Sequence, residues 1–255
     1  MFVFPATYRY YKETHVFLFK RSMTATLLLV LSWGVIAGDL KIECASDDLK
    51  SCDQAAQILK DSAMKIEQFD STPHWNSVKR LTGVAKAIVI FPEGGQAGFL
   101  FGFQWGNGIL MMRDKHQWSQ PVFIRFNSVM FGLLAGAQFS GGIGVILSDD
   151  ALEQLVAASI LVGGTADTTI GKGISGKVVG GPSGISTMMV SENRGLYFGG
   201  SIDAFQLRLD QKMNQAVYGD VFDPQQTLMQ FDENHGVAAN LRRRLEGIGF
   251  RAIYH

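Results

Sequence analysis

Between Thr168 and Gly184 the chain reads TTIGKGISGKVVGGPSG, a composition suited to wrapping backbone amides and lysines around phosphate. Gly171, Gly173 and Gly176 fit the dinucleotide spacing G-x-G-x-x-G, and Gly171, Gly176 and Lys177 come within one residue of the P-loop G-x-x-x-x-G-K-[ST]. Either site needs a helix after the glycines, because a helix N-terminus supplies the oriented N–H groups that hold phosphate. Val178-Val179-Gly180-Gly181-Pro182 follows instead and cannot extend a helix. Val178 also stands where the P-loop needs a hydroxyl for magnesium, and the acidic residue that would meet a ribose is absent until Glu192. The segment reads as a connection between strands, and a nucleotide is excluded.

Other chemistry is equally poorly supported. Ser175, Ser183, Ser186 and Ser201 each miss G-x-S-x-G at one glycine or the other. His74 begins a helical segment, His116 sits in the turn from Asp114 to Gln117, and His235 lies in a polar connection. No pair of them has H-E-x-x-H or comparable ligand spacing, so neither a metal nor any other cofactor is expected. Asp149-Asp150 suit a helix N-terminus and Asp232-Glu233 a solvated loop. Arg242-Arg243-Arg244, between Leu241 and Leu245, reads as the outer face of a helix. The chain therefore carries no catalytic constellation and is expected not to be an enzyme.

The elements that would position any functional residue follow from apolar spacing. Ala55, Ala56, Leu59, Ala63, Ile66 and Phe69 recur at three- and four-residue steps and predict a helix over 52–69. Thr72 then caps a second helix, with Pro73 in its first turn and Trp75, Val78 and Leu81 on its apolar side. From Ala87 strand signals follow one another, at 87–91, 97–105, 108–113, 121–127, 130–139 and 142–147. They resume after a helix from Ser148 to about Ile160, at 165–170, 176–179, 185–190, 195–202 and 205–209. Short helices near 211–217 and 237–245 end the chain. Short glycine- or asparagine-rich separators favour antiparallel hairpins. The 29 glycines are spread through the strands rather than pooled in a linker, which favours strong curvature. The expected fold is α+β: a strongly curved, glycine-rich antiparallel sheet or small barrel bracketed by N-terminal and C-terminal helices.

A hydrophobic content of 47% over 255 residues excludes a disordered polymer, and a formal net charge of +0 gives no whole-chain attraction for nucleic acid. Lys20-Arg21, the apolar run Ala25–Ile36 and the small-residue end at Ala37-Gly38 read as a signal peptide over 1–37, although Met23 is an alternative start. The chain is thus expected to be exported, periplasmic or secreted. Without residues 1–37, which hold Arg9, Lys12, Lys20 and Arg21 but only Glu13, acidic residues outnumber basic ones by three. Cys44 and Cys52 are the only cysteines, and in an oxidising compartment two thiols so placed are expected to pair.

Several segments together resemble the SYLF domain family. They are Ala85-Lys86-Ala87-Ile88-Val89-Ile90-Phe91-Pro92; Gly108-Ile109-Leu110 leading through Arg113 to Trp118-Ser119-Gln120-Pro121, similar to the family's W-S-x-P; and Gly132-Leu133-Leu134-Ala135-Gly136-Ala137-Gln138. Arg194 to Ser201 is similar to its G-L-[FY]-x-G-x-S strand, and Asn214 with Tyr218-Gly219 to its N-x-x-x-Y-G. The resemblance covers about 52–220, leaving a short segment at 38–51 and a helical extension at 221–255. Ser140-Gly141-Gly142 departs from the family where an acidic residue often follows the glutamine strand.

The resemblance implies a non-enzymatic domain that binds membrane phospholipid; eukaryotic members also bind phosphoinositides and bundle actin. For an exported chain the expected partner is an anionic phospholipid surface, to which the protein would be peripheral. Lys79, Arg80 and Lys86 near the second helix, or Lys172 and Lys177 in the glycine-rich segment, would meet the head groups. Two other readings stay open: a module that binds another envelope protein, and a carrier whose barrel cavity is lined by Phe99, Phe101, Phe103 and Trp105.

Overall fold

Two strands rich in β-branched and aromatic residues, β1 (Ala87–Gly98) and β2 (Phe101–Asp114), pair as an antiparallel hairpin in the computed structural model. The structure describes residues 44–157, 160–170, 174–181, 184–231 and 238–254. The predicted leader over 1–37 and the segment to residue 43 lie outside them. The hairpin register shifts between Ile90 and Glu93, and Pro92 falls in that irregularity, where a missing N–H costs no ladder bond. A two-residue strand β3 (Gln117–Trp118) turns back onto the end of β2 after Lys115, whose φ of 51° makes the turn.

β4 (Val122–Ile146) runs along both sides of this hairpin. Its first part pairs with β2, from Leu110↔Val122 to Phe101↔Phe131, and its last part pairs with β1, from Gly98↔Gly136 to Ala87↔Ile146. β7 (Gly184–Leu209) follows β4 in unbroken register from Ile124↔Leu209 to Ile146↔Thr187. β5 (Ile160–Ile170) and β6 (Ile174–Gly181) pair with opposite parts of β7. All pairings are antiparallel, and the seven-stranded sheet is open. The small-barrel expectation is thus corrected: β5 and β6 end the sheet on β7 and do not pair with β3 at the other side.

Helices cover both faces at one end of the sheet. α1 (Leu49–Ser71) is capped by Asp48, whose carboxylate accepts from the Ser51 hydroxyl at 2.8 Å and the Ser51 N–H at 3.2 Å. These two bonds, with Lys212 at 3.2 Å, hold the Asp48 carboxyl below the usual carboxylate range. Thr72 makes no side-chain cap; Pro73–Trp75 form a single 3₁₀ turn that drops Trp75 against Phe69, ring centroids 5.7 Å apart, before α2 (Asn76–Thr82). The other helices are α3 (Asp149–Ala157), α4 (Gln211–Tyr218), α5 (Pro224–Leu228) and α6 (Ala239–Tyr254).

Period-two alternation sorts the strands between two cores. Ile88, Ile90, Ile109, Met111, Phe123, Ile143 and Val145 face α1, α2, α4 and α6. Ala87, Val89, Leu110, Val122, Ile124 and Ile146 face α3 and α5. Beyond Gly94 the first of these faces is no longer roofed. Phe101, Phe103 and Trp105, two residues apart in line with Ile109 and Met111, are exposed there.

Candidate functional site

Lys79 and Arg80 stand on α2 because Trp75 and Val78 take its buried side. The Lys79 ammonium donates to the backbone carbonyl of Asp70 at 2.7 Å, and Arg80 is exposed. α6 packs beside α2, and Leu241, Leu245 and Ile248 take its buried side, which turns Arg243, Arg244 and Arg251 to solvent. Arg244 meets Glu67 at 3.0 Å and Arg251 meets Asp70 at 2.6 Å, both acids belonging to the end of α1. Arg243 is held by Asn240 one turn earlier. A recess of about 330 Å³ lies between the helices, lined by Asp70, Asn76, Lys79, Arg80, Ile248 and Arg251. Five cations from two distant stretches of sequence thus share one helical surface with two acids.

The other lysines named from sequence are placed elsewhere. Lys86 immediately precedes β1 and meets Asp149, at the start of α3, at 2.9 Å, so it is turned toward the opposite helical layer. Lys177 lies in β6, paired in register with Met189, and Lys172 falls outside the described residues. The arginine run is split. Arg243 and Arg244 are outward, but Arg242 is 1% exposed, because its helical position puts it beside Leu241 and Leu245 on the inner side. The reading of all three as an outer face is corrected for Arg242. Its cation acts on Tyr218, whose phenol is pushed up by burial and drawn partly back by that charge.

Residues that carried the family resemblance meet at a different place and for structural ends. Asn214, fully buried on α4, accepts from the Phe123 N–H at 2.8 Å and donates to the Phe123 carbonyl at 2.8 Å and the Asp210 carbonyl at 2.9 Å. The Tyr218 hydroxyl donates to the Pro121 carbonyl at 2.5 Å. Ser119 accepts from the Met112 N–H and donates to the Gln120 carbonyl, both at 2.8 Å. Asp210 caps α4 and pairs with Arg125 at 2.7 Å. W-S-x-P and N-x-x-x-Y-G therefore lock α4 onto the start of β4. Cys44 and Cys52 are joined by a disulfide, Cα atoms 6.0 Å apart, which pins the approach to α1 against its first turn.

Phe99, Phe101, Phe103 and Trp105 are exposed on the open sheet together with Leu100, Val129 and Phe131. Phe101 and Phe131 are cross-strand partners with ring centroids 5.1 Å apart. The Trp105 indole lies across Gly95, where any Cβ would collide with the ring. Among the described residues no group of three or more His, Cys, Asp or Glu could hold a metal ion, and no helix is long and apolar enough to cross a membrane.

An open sheet held between helices, presenting one cationic and one apolar surface, has the attributes of a binding domain. Residues 127–248, just under half of the chain, match the model of the Ysc84 family, described as Las17-binding protein actin regulator. It is the SYLF family, one of lipid- and actin-binding domains rather than enzymes. The match runs from within β4 to within α6, so Arg243 and Arg244 fall inside it, Arg251 lies just beyond it and the β1–β2 hairpin precedes it. Neither a curated individual protein nor a solved structure matches the chain.

Proposed function

We propose that this domain binds the surface of an anionic phospholipid membrane and performs no chemistry. The observation that carries the reading is the convergence of Lys79 and Arg80 of α2 with Arg243, Arg244 and Arg251 of α6 on one exposed surface. A cation near an anionic bilayer contributes about 1 kcal/mol, so a few acting together give weak, salt-sensitive attachment. Glu67 and Asp70 hold two of the arginines in place and offset part of that attraction. Lys172 and Lys177 are kept as further candidates on sequence grounds alone, and export to a periplasmic or secreted location remains the reading of the N-terminal segment.

Vesicle co-sedimentation tests this. The full chain is expected to pellet with phosphatidylserine-containing vesicles, less so as salt rises. The variant Arg80→Glu/Arg243→Glu is expected to lose at least about thirtyfold in affinity, since two cations at about 1 kcal/mol each are removed and their charge reversed. Absence of pelleting with anionic vesicles overturns the reading. The family's description as a Las17-binding actin regulator favours a second reading, a protein-interaction module, which co-sedimentation with actin filaments separates from the first.

A further inference from the structure

The exposed apolar sheet face answers to a different ligand chemistry from the cationic helices. It comprises Phe99, Leu100, Phe101, Phe103, Trp105, Val129 and Phe131, with exposures from 49% for Trp105 to 73% for Phe99. At 150–250 Å² per aromatic side chain, the apolar surface left open is on the order of 700 Å². A monomeric soluble protein rarely leaves so much contiguous apolar area uncovered unless something binds there.

The sequence around the face narrows what that is. No Asp, Glu, Lys or Arg occurs from Gly94 to Met112, nor from Phe126 to Ser148, and these two stretches are the paired strands that build the face. Protein interfaces carry a polar and charged rim, whereas a surface entering hydrocarbon must shed charge over its whole extent. The nearest polar side chains on the same face, Glu93, Asn107, Asn127 and Arg125, lie on the side toward the helices. Trp105 stands between them and the phenylalanines, the position an indole takes at a membrane–water boundary. The backbone beneath is paired on both sides by β1 and β4, so few peptide groups would enter lipid unsatisfied.

Alternation also fixes which way the face looks. Phe101, Phe103 and Trp105 share the side of the sheet with Ile109 and Met111, and that is the side roofed by α1, α2, α4 and α6. The cationic helical surface and the apolar sheet face are therefore on the same side of the sheet.

We infer that the aromatic face of β2 and β4 enters the acyl region of a phospholipid bilayer, so that attachment combines head-group attraction at the helices with apolar insertion at Phe101, Phe103 and Phe131. This rests on the membrane reading above and adds the hydrocarbon as a second ligand. The chemistry is that of a monotopic surface, with a shallow apolar contact added to the attraction of the head groups.

The test uses the full chain with phosphatidylserine/phosphatidylcholine vesicles whose acyl chains carry bromine, which quenches only indoles within the hydrocarbon. Trp75 and Trp118 are buried and out of reach. Quenching is expected in the wild type and is expected to fall in Trp105→Phe, which leaves Trp33, Trp75 and Trp118 in place. Phe103→Asp/Phe131→Asp, with an unchanged far-ultraviolet spectrum, is expected to lose at least tenfold in affinity at high salt, where the electrostatic part is screened. Pelleting without Trp105-dependent quenching overturns the insertion and leaves the membrane reading intact, whereas no pelleting at all overturns both. Concentration-dependent self-association without vesicles, abolished by the Phe103→Asp/Phe131→Asp pair, would instead assign the face to a contact between copies of this chain and overturn the inference.

Discussion

Asn214 serves the backbone of β4 the way a neighbouring strand would, supplying an acceptor for the N–H of Phe123 and a donor for its carbonyl. The carbonyl keeps a second donor in the Asp210 N–H, but the Phe123 N–H has nowhere else to turn. Asn214→Ala is therefore expected to cost about 2–3 kcal/mol, the penalty of one orphaned buried donor plus the lost bonds, measured by urea denaturation. The residue types were legible in the sequence and their meeting was not, because Asn214 and Phe123 are 91 positions apart. Glycine shows the same limit. At Gly95, Gly108 and Gly141 a Cβ would strike the Trp105 indole, the Ile90 carbonyl and the Pro92 carbonyl respectively, so these glycines permit close approach. Composition could only suggest curvature.

Among the elements, α1 is the one whose periodicity predicted it best, and the structure extends it by a few residues at each end to Leu49–Ser71. Its first turn is held three ways: by Asp48, by the Cys44–Cys52 disulfide, and by the Ala45 and Ser46 N–H groups donating to the Ala216 carbonyl of α4. Closing so short a loop removes about 2–3 kcal/mol of unfolded-chain entropy. Reduction should therefore lower stability to denaturant by about that much, and Cys44→Ser/Cys52→Ser should make the protein indifferent to reductant. The strands were less faithfully read. Segments separated at 106–107, 128–129 and 140–141 merge into single strands, β2 and β4, since partners on both edges keep the ladder continuous where an isolated segment with glycines such as Gly106 and Gly141 would break. β3 and α5 are too short for any periodicity to announce them.

At the scale of the molecule, the base of the sheet lies between two helical layers and the remainder extends past the first of them. Hydrogen exchange should mirror this division. Amides of Val89, Leu110 and Val145, fully buried at the base, are expected to exchange most slowly, and those near Phe99 and Phe101 much faster; comparable protection at both places would contradict it.

Alternation, helical spacing and the scarcity of acid, base and ligand groups are local properties. They let the sequence by itself determine the α+β class and the antiparallel pairing, while the family was legible through the order of its motifs, from W-S-x-P to N-x-x-x-Y-G. Surfaces are not local. Arg243, Arg244 and Arg251 join Lys79 and Arg80 only because α6 packs beside α2, while Lys86, six residues after Arg80, is drawn away toward Asp149. Phe101, Phe103 and Trp105 have the spacing of a buried strand, and the sequence alone cannot say whether a second layer covers them. That is a matter of where α1 lies on the sheet, which depends on long-range packing and which only the tertiary structure decided.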